Sequence, residues 1–171
     1  RRLLTIMHAV SQDELNPVVV SLDIEKTFDT LGWEYLHEVL KGMRFGPKYI
    51  RWITTIYNHP QARVKTGQYI SDSFAIHRGT RQGCPLSPMI FALAMEPLAC
   101  ALRARGQQWG IETYGVQHVI SLYADDALIY LRDPDTSMPE LLRLLDSFGA
   151  VSGLKVNWSK SCVYPLRPTP E

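Results

Sequence analysis

Cysteine is scarce in this chain. Three residues (Cys84, Cys100, Cys162) are too few and too scattered for a disulfide framework, and no Cys-x-x-Cys pair occurs. The five histidines form no His-x-x-x-His or Cys/His grouping, which excludes a zinc site of the usual spacing. This cysteine usage points to a reducing, intracellular setting. Long apolar runs are also missing. The stretch from Leu3 to Val10 is short and broken by Thr5 and His8, so nothing approaches the roughly 20 residues that cross a bilayer. Repeats, low-complexity tracts and heptads are absent. An initiator methionine is missing too: the chain opens on Arg1 and closes on Arg167-Pro168-Thr169-Pro170-Glu171, which predicts a piece of a longer reading frame. Asn157-Trp158-Ser159 fits a glycosylation sequon, but nothing else points to secretion.

What is present suits one globular domain: 171 residues, 46% hydrophobic and 20% charged. The net charge of +1 hides a segregation. From Lys41 to Arg105 ten bases stand against two acids, Asp72 and Glu96, a local net of +8 that leaves −7 for the rest. A basic middle between acidic ends fits a phosphate-holding surface beside a cation-holding cluster, and equally a set of solvated helix faces.

Punctuation and periodicity predict the elements. Pro17 ends a first helical stretch, and Val18 to Asp23 reads as a buried strand that finishes on a carboxylate. Trp33, Leu36, Leu40 and Met43 recur at helical spacing, as do Tyr49, Trp52, Ile53 and Ile56 after Gly46-Pro47. Residues 62–65 and 73–77 make a short hairpin about Gly67, followed by an irregular segment from Arg78 to Pro85. Ser87 is expected to cap a helix with Pro88 at its first position, running to about Arg105. Strands over 118–122 and 127–131 flank Tyr123-Ala124-Asp125-Asp126, a helix runs from about Pro139 to Val151, and a last strand lies near 162–164. Mixed elements without strict alternation, with an acidic hairpin, predict an α+β fold: an antiparallel sheet with helices packed on one face.

Three carboxylates stand where a purely structural sequence would avoid them. Asp23 closes an apolar strand, and Asp125 and Asp126 sit between two others. Asp-Asp alone also suits a surface turn. If the strands are neighbours, however, the acids gather at one sheet edge, and so close a cluster repels itself unless cations neutralise it. Hard oxygen ligands of this kind suit Mg²⁺, with Mn²⁺ as an alternative. Two such ions roughly 3.5–4 Å apart activate an attacking 3′-hydroxyl and stabilise leaving pyrophosphate, which is nucleotidyl transfer.

Four blocks then occur in a telling order: Ser21-Leu22-Asp23-Ile24-Glu25-Lys26-Thr27-Phe28-Asp29; Gly79-Thr80-Arg81-Gln82-Gly83-Cys84-Pro85-Leu86-Ser87-Pro88; Tyr123-Ala124-Asp125-Asp126; and Ser152-Gly153-Leu154-Lys155-Val156-Asn157 with Lys160. Over most of its length, from about Ile6 to Tyr164, the sequence resembles the palm of non-LTR (LINE-like) retrotransposon reverse transcriptases.

The resemblance implies a right-hand polymerase palm. Residues 1–171 would be a single, partial domain with incomplete fingers and no thumb, and residues 1–16 a remnant of the fingers or a connecting helix. It implies RNA-directed DNA polymerase activity, with RNA template, DNA primer and deoxynucleotides as partners, in the nucleus or cytoplasm. Asp23, Asp125 and Asp126 match the catalytic acids, with the Ile24 carbonyl as an added metal ligand. Phe28 matches the aromatic that excludes a 2′-hydroxyl, its alternative being a core phenylalanine. Gln82 and Gly83 match the loop along the incoming nucleotide. Arg81 is a candidate for phosphate, and Lys160 for the lysine near the leaving pyrophosphate, with Lys155 as second candidate. Thr27 departs from the small alanine usual before the aromatic, which predicts altered packing of the sugar gate. An RNA-dependent RNA polymerase and an inert, nucleic-acid-binding remnant are the rival readings. Phe28 argues against the first and the surviving acids against the second.

Overall fold

The structure is a computed structural model that describes Leu3, Ile6, Met7, Val10 and residues 16–123 and 126–167. The helical stretch expected before Pro17 therefore lies largely outside the described residues, as does Asp125.

Four strands form the main sheet: β1 (Val18–Leu22), β8 (Ile120–Tyr123), β9 (Asp126–Leu131) and β10 (Cys162–Pro165), in the order β10-β1-β9-β8. All three pairings are antiparallel. β1 and β9 are central and apolar on both sides, and alternation divides their side chains. Val18, Val20, Leu22, Ala127, Ile129 and Leu131 enter the main core. Val19 and Tyr130 turn to the opposite face, where Ile6, Val10, Ile111 and Leu166 complete a smaller cluster.

Three helices cover most of the main-core face. α2 (Trp33–Gly42) inserts Leu36, Val39 and Leu40. α4 (Ser87–Arg103) buries a full stripe, from Ile90 and Phe91 through Ala94, Met95, Leu98 and Ala99 to Leu102. α6 (Pro134–Ser152) adds Leu141, Leu145 and Phe148. The other helices are α1 (Thr27–Thr30), α3 (Pro47–Ile56) and α5 (Gly106–Trp109). Removing a large core side chain from water stabilises the fold by about 1.5–3 kcal/mol, so this face carries most of the stability. The fold is α+β, as the sequence predicts.

Several boundaries differ from expectation for identifiable reasons. β1 stops at Leu22, so Asp23 stands just beyond the strand. The hairpin over 62–77 is two short ladders, β2 (Gln61–Ala62) with β5 (Phe74–Ala75) and β3 (Lys65–Thr66) with β4 (Tyr69–Ile70). Between them the Val64 N–H donates to the Ser71 hydroxyl (3.0 Å) instead of a backbone carbonyl, which interrupts the rungs. Ser87 is the first residue of α4 and not its cap; its hydroxyl donates to the Arg81 carbonyl (2.7 Å), and Leu86 holds the cap position. His118 belongs to a separate hairpin, β6 (Ile111–Thr113) with β7 (Val116–His118), that turns through Tyr114 and Gly115 at positive φ. α6 begins at Pro134, five residues before Pro139. Both prolines carry the helix-start signal, but the Thr136 hydroxyl, bonded to the Asp133 carboxylate (2.9 Å), reinforces the earlier turn. The helix ends at Gly153, where φ is +79° and an added Cβ would lie 2.4 Å from the Thr30 carbonyl oxygen. Only glycine fits there.

Candidate active site

The end of β1 is gripped from one side by the segment that leads into β10. The Asp23 N–H donates to the Ser161 hydroxyl (3.1 Å), and the Asp23 carbonyl accepts from the Asn157 N–H (2.8 Å). Ile24 makes an isolated bridge to Val156, and the Glu25 N–H donates to the Lys155 carbonyl (2.8 Å). With its backbone so engaged, half-buried Asp23 is left with its carboxylate for the cleft beside it.

Lys26 then adopts a left-handed conformation (φ 42°), which turns the chain sharply into α1. Thr27 is buried and its hydroxyl donates to the Ile24 carbonyl (3.0 Å). The branched side chain at this position is thus absorbed by a local hydrogen bond, and one acceptor site of the Ile24 oxygen is used. Half-buried Phe28 rests on Phe91 of α4, with ring centroids 5.7 Å apart and planes inclined by 48°. Its core role and its exposure to the cleft coexist.

On the opposite side, the irregular segment before α4 is tied to α1. The Gly79 N–H donates to the Leu31 carbonyl (2.7 Å), the Thr80 N–H to the Phe28 carbonyl, and the Trp33 indole N–H to the Gly79 carbonyl (2.7 Å). These bonds set Gln82 across from Phe28.

A cleft of about 570 Å³ results, lined by Asp23, Ile24, Phe28, Gln82 and Lys160, together with Glu25, Lys26, Thr27, Asp29 and Asn157. A second hollow of about 380 Å³ adjoins it, sharing Phe28 and Gln82 and adding Gly83, Cys84, Pro85, Ser87 and Pro88. Five of the candidate residues thus meet in one depression and Gly83 in its neighbour. Lys155 lines a different hollow, with Trp158 and Asp146; Lys160 is the lysine beside Asp23. Arg81 is exposed and lines neither hollow, and its carbonyl is occupied by the Ser87 hydroxyl.

Asp126 is exposed at the start of β9, paired with Tyr123. Leu22 and Ala127 are the last paired residues of β1 and β9, so the next position along each strand is Asp23 on one and Asp126 on the other. Asp125 lies outside the described residues, so the expected cluster of three acids is described only in these two members. Among the described residues no three His, Cys, Asp or Glu side chains form a group that could hold a metal ion.

Two thiol and phenol groups near the site are perturbed. The Cys84 thiol is held below its ordinary value, chiefly by a hydrogen bond from the Leu86 backbone and further by Ser87 and Arg81. Burial pushes Tyr57 up, helped by Cys84 and Tyr49.

Several residues of the site escape a reading of the sequence. Asn157 lines the cleft and organises its rim: its carbonyl accepts from the backbone of Lys160 (3.1 Å) and Ser161 (2.9 Å), and its side chain accepts from the Ser159 hydroxyl (2.7 Å). The sequon is therefore a hydrogen-bonded turn, and an Asn with two following serines is the signal that marks it. Ser161 and Trp33 act through contacts distant in sequence, for which no local signal exists.

The sequence profile of the family described as reverse transcriptase (RNA-dependent DNA polymerase) matches residues 1–167. The chain is 33% identical over 156 residues to the transposon TX1 uncharacterized 149 kDa protein of Xenopus laevis, covering 91% of this chain and 12% of that protein. It is 29% identical over 144 residues to a retrovirus-related Pol polyprotein from the type-1 retrotransposable element R2 of Popillia japonica, covering 84% of this chain and 20% of that protein. Among solved structures, telomerase from Candida tropicalis in complex with a fragment of telomeric RNA superposes with a TM-score of 0.71 at 13% identity, over 96% of this chain and 28% of that one. At that identity the likeness shows a shared fold. The chain spans a fifth or less of the two curated relatives named.

Proposed function

We propose that this chain, which belongs to the reverse transcriptase (RNA-dependent DNA polymerase) family, is the palm of an enzyme that adds deoxynucleotides to a primer 3′-hydroxyl opposite an RNA template. One observation carries the proposal: Asp23, Phe28, Gln82 and Lys160, drawn from three separate stretches of chain, line a single cleft at the end of the central strand.

The donors at the sheet edge suit hard divalent cations. Asp23 and Asp126 offer carboxylate oxygens, the Ile24 carbonyl keeps an acceptor site beyond the one used by Thr27, and among the described residues no thiol or imidazole lines this cleft. Asp23, Asp126 and the Ile24 carbonyl, with Asp125, are the proposed ligands of two Mg²⁺ ions, or Mn²⁺ in their place. Ions held there would acidify the primer hydroxyl and offset charge on the departing pyrophosphate.

The chain's own groups supply the remaining functions. Lys160 stands near the leaving group as a cation or proton donor. Gln82 and Gly83 lie along the incoming nucleotide, where an amide can donate and accept and glycine permits close approach. Phe28 closes the space a 2′-hydroxyl would need. Arg81, exposed at the head of this loop, meets phosphate. Residues 1–171 form one partial palm in this reading, intracellular in setting, with fingers and thumb supplied by other parts of the polypeptide and little extension by the chain alone.

The test is primer extension on an RNA template by a polypeptide that carries this chain together with its flanking segments. Asp23→Asn should lower the rate by roughly 10²–10³-fold or more, the scale of losing a central electrostatic group. Extension at the unaltered rate would refute the assignment.

A further inference from the structure

Gly79 occupies a knuckle that no side chain could share. Its φ is +89°, and a Cβ placed there would lie 2.6 Å from the Phe28 carbonyl oxygen and 2.8 Å from that of Asp29. The absence of a side chain lets the backbone of 79–80 lie directly on α1, where both N–H groups find acceptors, at Leu31 and Phe28. The one remaining polar group of Gly79, its carbonyl, points the other way and receives the Trp33 indole N–H at 2.7 Å. Gly79 and Thr80 are buried, so without the indole this carbonyl would be left short of a partner. Trp33 is itself held in place. It sits at the first turn of α2 and packs on Tyr57 at the end of α3, with ring centroids 5.2 Å apart.

The knuckle lies between two residues of the cleft. Phe28 is bonded to Thr80 through its own carbonyl, and Gln82 follows two residues after Thr80. Any shift of 79–80 therefore changes the distance across the cleft between the Phe28 ring and the Gln82 amide. Trp33 lines neither hollow.

We infer that Trp33 is a positioning residue for the nucleotide cleft: by anchoring the Gly79 carbonyl it sets the spacing between Phe28 and Gln82, and so tunes nucleotide affinity and selection against ribose. The inference rests on the polymerase reading given above.

The test uses Trp33→Phe, which keeps the ring against Tyr57 and removes the N–H, in a polypeptide that carries this chain and extends primers. Losing one partly buried hydrogen bond should raise the KM for deoxynucleotide about three- to tenfold with kcat little changed, and lower discrimination against ribonucleotides by a similar factor. Leu40→Ala, a core substitution in the same helix, serves as the comparison. It should lower Tm without moving KM or discrimination. Hydrogen exchange supplies a readout independent of activity, and the amides of Gly79 and Thr80 should exchange faster in Trp33→Phe. Trp33→Leu, which also removes the N–H and keeps an apolar side chain against Tyr57, should act in the same direction and carries the test if Trp33→Phe does not fold.

Unchanged exchange at Gly79 and Thr80, or faster exchange with KM and discrimination both unaltered, overturns the inference. Phe28→Val, run alongside, separates the two readings. If it alters discrimination while Trp33→Phe alters neither discrimination nor KM, the positioning role alone fails. If it alters nothing, the sugar gate itself fails, and the inference then stands or falls on the KM of Trp33→Phe.

Discussion

Phe28→Val tests the core and the gate roles of one ring at once. The substitution removes four carbons from a half-buried side chain that rests on Phe91 with centroids 5.7 Å apart. At about 0.8 kcal/mol for each fully buried methylene, halved for exposure, the lost burial amounts to roughly 1.5 kcal/mol. The aromatic pair adds about 0.5–1.5 kcal/mol. A loss of about 2–3 kcal/mol should lower Tm by roughly 4–12 °C in a domain of this size. Valine is β-branched and helix-tolerated, so α1 should persist. Opening the space beside the sugar should then reduce the preference for deoxynucleotides over ribonucleotides by about 10–200-fold, the scale of discrimination that one group's worth of volume provides. Thermal unfolding measures the first effect. Steady-state incorporation of each nucleotide, compared as kcat/KM on one primer-template, measures the second. A Tm drop of the stated size with an unchanged preference would show that the ring serves the core alone, and would refute the gate.

Lys160→Ala should slow incorporation while Lys155→Ala, in a different hollow, leaves it near the original rate; equal effects in single-turnover extension would contradict the choice between them. Ser161→Ala removes the acceptor for the Asp23 N–H and the donor to the Asn157 carbonyl, so it should cost about 1–3 kcal/mol of stability and lower kcat more than it raises the KM for nucleotide, as measured by unfolding and steady-state kinetics. The Cys84 thiol, held below its ordinary value, is in its thiolate form at lower pH than a free cysteine. Its alkylation rate should therefore rise at lower pH than that of an unperturbed thiol, and bound nucleotide should protect it because the thiol lines the hollow next to Gln82. Mass spectrometry of partly alkylated protein across pH 6–9 reads both effects.

The main strands were legible because their signals are local. The apolar run Val18 to Leu22 closing on Asp23 reads as a buried strand, and the structure differs by one residue. The stripe from Ile90 to Leu102 likewise announces its helix. Boundaries were lost where a side chain replaces a backbone partner, as Ser71 does inside the hairpin, or where a start signal occurs twice, as at Pro134 and Pro139. The hydrogen-bonding role of Ser87 likewise departs from the local rule. A serine before a proline suits a helix cap by local rules, yet its hydroxyl is drawn to the Arg81 carbonyl of the preceding loop.

The class of fold, the family and the types of group the chemistry needs are all written along the chain. Alternation, periodicity and four ordered motifs are properties of neighbouring residues and survive without coordinates. Which of these groups share a cleft emerges only from the folded arrangement. It separated Lys160 from Lys155 and gave Phe28 both a core neighbour and an open edge. It also bonded Trp33 to Gly79, Thr27 to the Ile24 carbonyl and Ser161 to the backbone of Asp23. The long-range contacts among these depend on how strands and helices distant in the chain come to lie side by side. Hydrogen bonds act only over about 3 Å, so no pattern along the sequence could encode those partners.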